Sequence, residues 1–196
     1  PRFNVVESDF FIGGMEYPNL IMLDHDLYKS NNSDYLELVT VHETAHQWWY
    51  GLVGSNQITD AWLDEGLTEY STVLYYGHRY GQEKEEEVYQ NIIGKGKYNN
   101  LQFFTYSNDI DETIHRPTYE FSSWVIYDLL VYGKGAMLFH SLREKMGDQL
   151  FFQGLRLYFQ ENRFGNAGKT DIIRAFSQVT GQDWQQHFDQ WLYDYE

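Results

Sequence analysis

Two histidines four residues apart, His42 and His46, enclose a carboxylate, Glu43, placed directly after the first. On a helix, positions four apart share a face, one about a turn above the other. Both imidazoles can therefore reach one Zn2+, and Glu43 stands beside the ion's open position, where a water would be handled. A third protein ligand is needed. Glu65 follows His46 with 18 residues between them, and a carboxylate on the next antiparallel helix completes a His2Glu site whose fourth position is left to water. The competing reading is two core histidines and a surface glutamate, which must reproduce this spacing by coincidence. The chain has no cysteine, which excludes disulfides, thiolate nucleophiles and Cys-type zinc sites. Any metal must be held by histidine and carboxylate.

Zn2+ with three protein ligands lowers the pKa of its water to about 7 and polarises a carbonyl. Glu43 would take the water's proton and later pass it to the leaving nitrogen. The attack creates an oxyanion, which needs a donor opposite the metal. A tyrosine serves, since its pKa of about 10 keeps it protonated at neutral pH, but with 17 tyrosines in the chain spacing alone selects none. Glu69 lies one turn after Glu65 and could orient a zinc-binding histidine; it reads equally well as an exposed helix glutamate. His25, His78, His115, His140 and His187 have no ligand spacing to one another and read as structural or surface groups.

Particular elements must carry these residues. Asp34-Tyr35-Leu36-Glu37 has the pattern of a capping box opening a helix, with Leu38, His42, Ala45, His46 and Trp49 on one side of it. That helix is expected to end near Tyr50-Gly51. After a connection at Asn56–Asp60, a second helix running from Ala61 to about His78 carries Glu65. Ahead of both, Phe3–Phe11 and Leu20–Leu23 read as strands. Gly13-Gly14 between them reads as a turn, or as a place where another backbone approaches closely. Asp24–Ser33 reads as a polar loop.

Further on, Gln82–Ile93 is expected to be helical, with Glu83, Glu85, Glu86 and Glu87 forming a solvated face near its start. Gly94–Phe121 reads as a long irregular segment, a loop lining a cleft. Helices are then expected from Ser122 or Ser123 to about Met146, with Gly133 and Gly135 inside, at Asp148–Asn162, at Thr170–Thr180 and at Asp183–Tyr193. The last opens on a second capping box, Asp183 to Gln186. With no internal repeat and no clear linker, residues 1–196 read as one mostly helical α+β domain with a small sheet on its N-terminal side.

The formal net charge of −15 argues against nucleic acid or an anionic membrane surface as partner. It favours attraction of cationic groups such as a peptide's free amine. No apolar run is long enough to span a membrane. The chain opens at Pro1-Arg2 without methionine and is read as an excised piece of something longer. Its compartment is unknown, and the lack of cysteine only weakly favours an extracytoplasmic one.

Four blocks of sequence resemble the gluzincin aminopeptidases, the family of aminopeptidase N and the leukotriene-hydrolysing epoxide hydrolase. Gly13-Gly14-Met15-Glu16-Tyr17 looks like the exopeptidase motif Gly-x-Met-Glu-Asn. His42–Trp48 followed by Trp62-Leu63-Asp64-Glu65-Gly66 looks like the zinc signature. Tyr132-Gly133-Lys134-Gly135 resembles the Tyr-x-Lys-Gly motif, and Phe164–Ala167 with Phe188–Trp191 looks like the end of the catalytic domain. The resemblance implies a thermolysin-like metallopeptidase catalytic domain with a small mixed β-sheet followed by a helical lobe, and one zinc ion on His42, His46 and Glu65. It implies Glu43 as general base and Tyr132 as oxyanion donor. Glu16 would bind the substrate's α-amine, with Gly13, Gly14 and Met15 offering backbone to an extended peptide.

The expected substrates are peptides with a free N-terminus, and flanking domains of a parent chain are expected around this one. Tyr17 stands where the family usually has Asn, which alters the first specificity pocket. The alternative readings are a thermolysin-like endopeptidase and a non-catalytic relative serving as a protein-interaction scaffold.

Overall fold

The computed structural model describes residues 2–10, 12–29, 33–105 and 110–193, and the side chains of 102–105 lie outside that description. Three strands form the N-terminal sheet: β1 (Asn4–Ser8), β2 (Gly14–Tyr17) and β3 (Leu20–Asp24). Their order is β1-β3-β2, with β1 parallel and β2 antiparallel to the central β3. In β3, Ile21 and Leu23 point to one face and are buried, the period-two pattern of a strand lying on a core. They pack with Leu27 and Val39 in a small cluster beneath the sheet. Tyr17 and Leu20 pair across a two-residue turn whose Asn19 takes φ +61°, a conformation asparagine tolerates.

The strand expected over Phe3–Phe11 is shorter than that. β3 offers only five residues to pair with, and β1 is a largely exposed edge strand, so pairing stops at Ser8; Phe11 lies outside the described residues. The expected loop at Asp24–Ser33 contains a short 3-10 turn, His25–Tyr28, which buries Leu27 and is capped by Asp24 through the Asp26 amide.

Helix α1 (Ser33–Ala45) carries the first histidine. It already includes Ser33, so Asp34 sits in its first turn and Asp34–Glu37 is no capping box. Glu37 instead accepts hydrogen bonds from the hydroxyls of Tyr75 and Tyr80. The helix ends at Ala45 rather than near Tyr50. Beyond it the chain coils tightly, with the Gly51 amide on the His46 carbonyl, the Tyr50 amide on the Val53 carbonyl and Tyr50 at φ +118°. Val53–Gly54 (β4) then pairs in parallel with Gly165–Asn166 (β5), a two-residue contact too short to leave a sequence signal.

The second helical segment contains a π-helical turn at Trp62–Gly66 before α2 (Leu67–Tyr80). Helices α3 (Gln82–Asn91) and α4 (Lys95–Thr105) follow. Helix α4 corrects the expectation of an irregular segment from Gly94. Its glycines and asparagines read as loop formers, but the backbone is held by packing against later elements, an override of local propensity. Ser123 caps α5 (Trp124–Tyr127) by accepting from the Ile126 amide, and a second π-helical turn at Asp128–Lys134 leads into α6 (Gly135–Met146).

The remaining helices are α7 (Asp148–Asn162), α8 (Lys169–Thr180) and α9 (Gln185–Leu192). The capping box expected at Asp183–Gln186 is absent, since Asp183 accepts from the Gln185 amide just ahead of α9. Among the described residues no helix is long and apolar enough to cross a membrane.

Aromatic packing fixes the helices behind the π turns. Trp62 is fully buried, stacked on Phe139 at 6.3 Å between ring centres and edge-on to Phe188 at 6.2 Å. Each such side chain contributes on the order of 2–3 kcal/mol through burial. The first π turn meets the start of α6 where Gly66 faces Gly135: a Cβ on Gly66 would lie 2.8 Å from the Gly135 Cα, so neither position has room for a side chain. This close crossing brings Glu65 and Tyr132 to one side.

Candidate metal centre and active site

His42, on the last turn of α1, and His46, just beyond its end, present their Nε2 atoms 3.1 Å apart. The Oε2 atom of Glu65, on the first π turn, lies 3.3 Å from one and 3.2 Å from the other. An ion holding tetrahedral ligands at ~2.0–2.1 Å spaces them by about 3.3 Å, so the three donors form a triangle of the right size.

Each imidazole is braced from behind. His42 Nδ1 is 2.9 Å from Glu69 Oε2. His46 Nδ1 is 3.0 Å from Asp64 Oδ1, 3.0 Å from the Trp49 carbonyl and 3.2 Å from Thr68 Oγ1. Acceptors at Nδ1 hold the proton there and turn the Nε2 lone pair toward the shared point. Asp64 is itself held by Gln57, which donates to its other oxygen at 2.9 Å.

The charge balance also fits a cation. Burial opposes charge on every member, yet the His46 field together with hydrogen bonds from His42 and His46 holds the Glu65 carboxyl well below the carboxylate range. Burial likewise opposes charge on Glu69, but the Lys97 ammonium and His42 pull its carboxyl down. Burial pushes His42 down, but its hydrogen bonds to Glu65 and Glu69 outweigh that and lift it to about 10. Two imidazoles ringed by carboxylates demand positive charge at their centre, which one divalent ion supplies.

Glu43 lies on the same turn as His42 and is buried, with its carboxylate against Gly14: a Cβ there would fall 2.1 Å from Oε1. Its other oxygen, Oε2, has no hydrogen-bond partner among the described residues. Burial raises this carboxyl to about 7, partly offset by the fields of His42 and His46. Such a pKa suits a group that takes up and returns a proton near neutrality.

Tyr132, on the second π turn, stacks over His42 with ring centres 5.8 Å apart, and burial together with Glu65 keeps its phenol protonated well above the usual range. Glu16, on edge strand β2, is buried, and its carboxylate lies within 4.8 Å of ligand atoms of His46 and Asp64. Burial pushes its pKa up, with the His46 field pulling down. Gln47 ties β2 to the end of α1, donating to the Tyr17 carbonyl at 3.1 Å and accepting from the Asn19 amide at 2.8 Å.

His42, His46, Glu65, Glu43, Glu16, Tyr132, Gly14, Glu69, Asp64 and Gln57 line one cleft of about 1240 Å3, together with Gly13, Met15, Lys97, Trp124, Tyr127 and Asp128. The residues singled out in the sequence thus converge in space: Gly13, Gly14, Met15, Glu16, His42, Glu43, His46, Glu65 and Tyr132. Glu69, left open between two roles, braces His42. Asp64, Thr68, Gln57, Lys97 and Tyr127 are not singled out by the sequence: Asp64 sits on a π turn that breaks the 3.6-residue spacing on which a helical reading rests, and Gln57 and Lys97 lie in stretches that read as connection and loop.

The other histidines sit elsewhere. His115 accepts from Trp62 Nε1, His140 stacks on Tyr89 and His187 accepts from Lys145. Two other groups of potential ligands exist among the described residues, Glu16-His46-Asp64 and the partly exposed Asp24-His25-Asp26. The first shares His46 with the triangle, and in the second Lys29 already neutralises Asp26.

Comparison with known proteins places this geometry in context. The profile of the Peptidase family M1 domain matches residues 2–191. Among curated proteins, the chain is 28% identical over 199 residues to aminopeptidase N of Lactococcus lactis subsp. lactis, covering 97% of this chain and 23% of that protein. It is also 28% identical to puromycin-sensitive aminopeptidase of Caenorhabditis elegans, over 93% of this chain and 20% of that one. The chain therefore spans about a fifth to a quarter of the length of these relatives. Its fold matches a crystal structure of a mutant M1 zinc metallopeptidase from Deinococcus radiodurans with a TM-score of 0.69 and 21% identity, over 97% of this chain and 39% of that one.

Proposed function

This chain belongs to the peptidase M1 family, and on that premise we propose that it is the zinc-dependent catalytic part of an aminopeptidase removing residues from the free N-termini of peptides. The observation that carries the reading is the convergence of His42, His46 and Glu65 on one point, with the buried Glu16 carboxylate a few ångströms away.

His42, His46 and Glu65 would hold one zinc ion, which when bound supplies a water of lowered pKa and polarises the substrate carbonyl. Glu43 accepts the proton of the attacking water and delivers it to the departing nitrogen, a shuttle suited to its near-neutral pKa. Tyr132 donates its hydroxyl hydrogen to the developing oxyanion, and burial keeps that hydrogen in place. Glu16 receives the substrate's ammonium group in a pocket where a carboxylate lacks water and gains from a cation. Strand β2 is the edge of its sheet, so Gly13 to Met15 offer backbone to an extended peptide. The parent enzyme's flanking domains would close the remainder of the cleft.

Three measurements on the full-length gene product test this. Glu43→Gln should abolish release of N-terminal residues while zinc stays bound; unchanged turnover would sink the mechanism. An N-acetylated peptide should be refused, because the acetyl group removes the ammonium that Glu16 reads. Equal cleavage of blocked and free peptides would favour the endopeptidase reading. A protein that takes up no zinc on titration would favour the scaffold reading.

A further inference from the structure

Helix α4 places one charged side chain in the cleft, and nothing in the proposed chemistry uses it. The Lys97 ammonium lies 2.6 Å from Asp128 Oδ1 on the second π turn and 3.5 Å from Glu69 Oε1, the free oxygen of the carboxylate that braces His42. The same ammonium sits 4.9 Å from the centre of the Tyr132 ring. Three groups on two separate elements thus share one cation.

The approach of α4 is specific. A Cβ on Gly133 would lie 3.0 Å from the Lys97 Cβ and 3.1 Å from the Tyr98 nitrogen, so the absent side chain beside Tyr132 is what lets α4 dock there. Burial works against a charge on Lys97, but Glu69 and Asp128 hold its amine above the ordinary range. An ammonium so placed stays charged, pairs with Glu69 electrostatically and attracts the face of the Tyr132 ring.

We propose that Lys97 is a positioning residue for the reaction, fixing with one charge both the carboxylate that orients His42 and the phenol that faces the oxyanion. Glu69 has two oxygens with two different tasks: one points at His42 and the other at Lys97. Without the cation, Glu69 keeps only its hydrogen bond to His42 among the described contacts, and the ring of Tyr132 loses the charge beneath it. In this proposal Lys97 acts through Glu69 and Tyr132. This inference rests on the aminopeptidase reading for its kinetic half, whereas its metal-affinity half stands without it.

The test compares Lys97→Met, Lys97→Arg and wild type in the full-length protein, each checked for folding by circular dichroism. Zinc dissociation constants come from competition with a chromogenic chelator, and kcat and KM from an aminoacyl anilide at saturating zinc. In Lys97→Met, zinc affinity should fall about 10-fold, the lower end of what loss of a ligand's supporting contact produces. At full zinc loading, kcat should fall by about 10-fold or more, with KM changing less than about 3-fold. Lys97→Arg keeps the charge and should recover most of both.

Zinc affinity and kcat both at the wild-type level in a folded Lys97→Met protein would overturn the proposal, even if thermal stability dropped, since Lys97 would then serve packing alone. If Lys97→Met does not fold, Lys97→Gln gives the same comparison. A wild type that binds zinc but releases no N-terminal residues refutes the aminopeptidase reading. The zinc measurement still decides on Lys97 in that case.

Discussion

The two imidazoles are braced unequally, and that inequality can be measured. Among the described contacts, His42 Nδ1 has one acceptor, Glu69 at 2.9 Å, whereas His46 Nδ1 has three: Asp64, the Trp49 carbonyl and Thr68. Replacing Glu69 by Gln removes the charge and lets an NH2 group face Nδ1. The amide donor favours the opposite tautomer, with the proton on Nε2, where it blocks metal binding. Replacing Asp64 by Asn does the same to His46, but the Trp49 carbonyl still accepts from Nδ1 and holds the ligating tautomer. Loss of such support costs 10- to 100-fold in metal affinity, about 1.4–2.7 kcal/mol. Glu69→Gln should fall near the upper end and Asp64→Asn near the lower. Chelator competition on the folded, metal-stripped proteins measures both. Asp64→Asn weakening zinc as much as or more than Glu69→Gln, or Glu69→Gln remaining within about 3-fold of wild type, would refute this account of the site.

Tyr132→Phe removes the proposed oxyanion donor and leaves its stacking on His42; kcat should fall about 10²- to 10³-fold with zinc content and KM little changed, as read by steady-state kinetics. His187 is buried, and its burial together with Lys145 depresses its pKa to about 4. The unfolded chain therefore binds its proton first, so stability is fully present above about pH 6.5 and lost progressively as pH falls toward 4. The loss is at most about 3 kcal/mol, and urea melts of wild type and His187→Gln across that window should show a steeper fall in stability in the wild type than in the variant. Gly66→Ala forces a methyl group into the Gly135 backbone and should destabilise the protein by about 1–3 kcal/mol, measured by thermal denaturation.

What the sequence reveals and what it conceals follow from the same physics. The histidine pair and helices such as α7 are legible because regular helical spacing maps directly onto a face, and Glu65 is legible through the 18 residues that separate it from His46. The blocks carrying Glu16 and Tyr132 are legible through resemblance, while their approach to the histidines depends on β2 lying on α1 and on the Gly66–Gly135 crossing. The supporting cast is hidden for local reasons. Asp64 immediately precedes Glu65, and on a regular helix adjacent residues point about 100° apart, so the spacing gives no reason to bring both to one centre, as the π turn here does. Lys97 sits in a stretch whose glycines and asparagines argue for a loop, and its helix exists because α4 can dock against Gly133. Asp34 fits a cap by pattern, yet the helix already includes Ser33, so Asp34 sits inside the first turn rather than at the cap position.

The two hydrogen bonds at Gln47 have a consequence for how far along a peptide the cut falls. Glu16 rides on the β2–β3 hairpin and the histidines ride on α1, and this one glutamine pins the hairpin's turn to the residue just after His46. In the proposed enzyme the gap between the two elements is a ruler one residue long, with the substrate's amine at one mark and the scissile carbonyl at the other. Its calibration lies in a half-exposed side chain that need never meet a substrate.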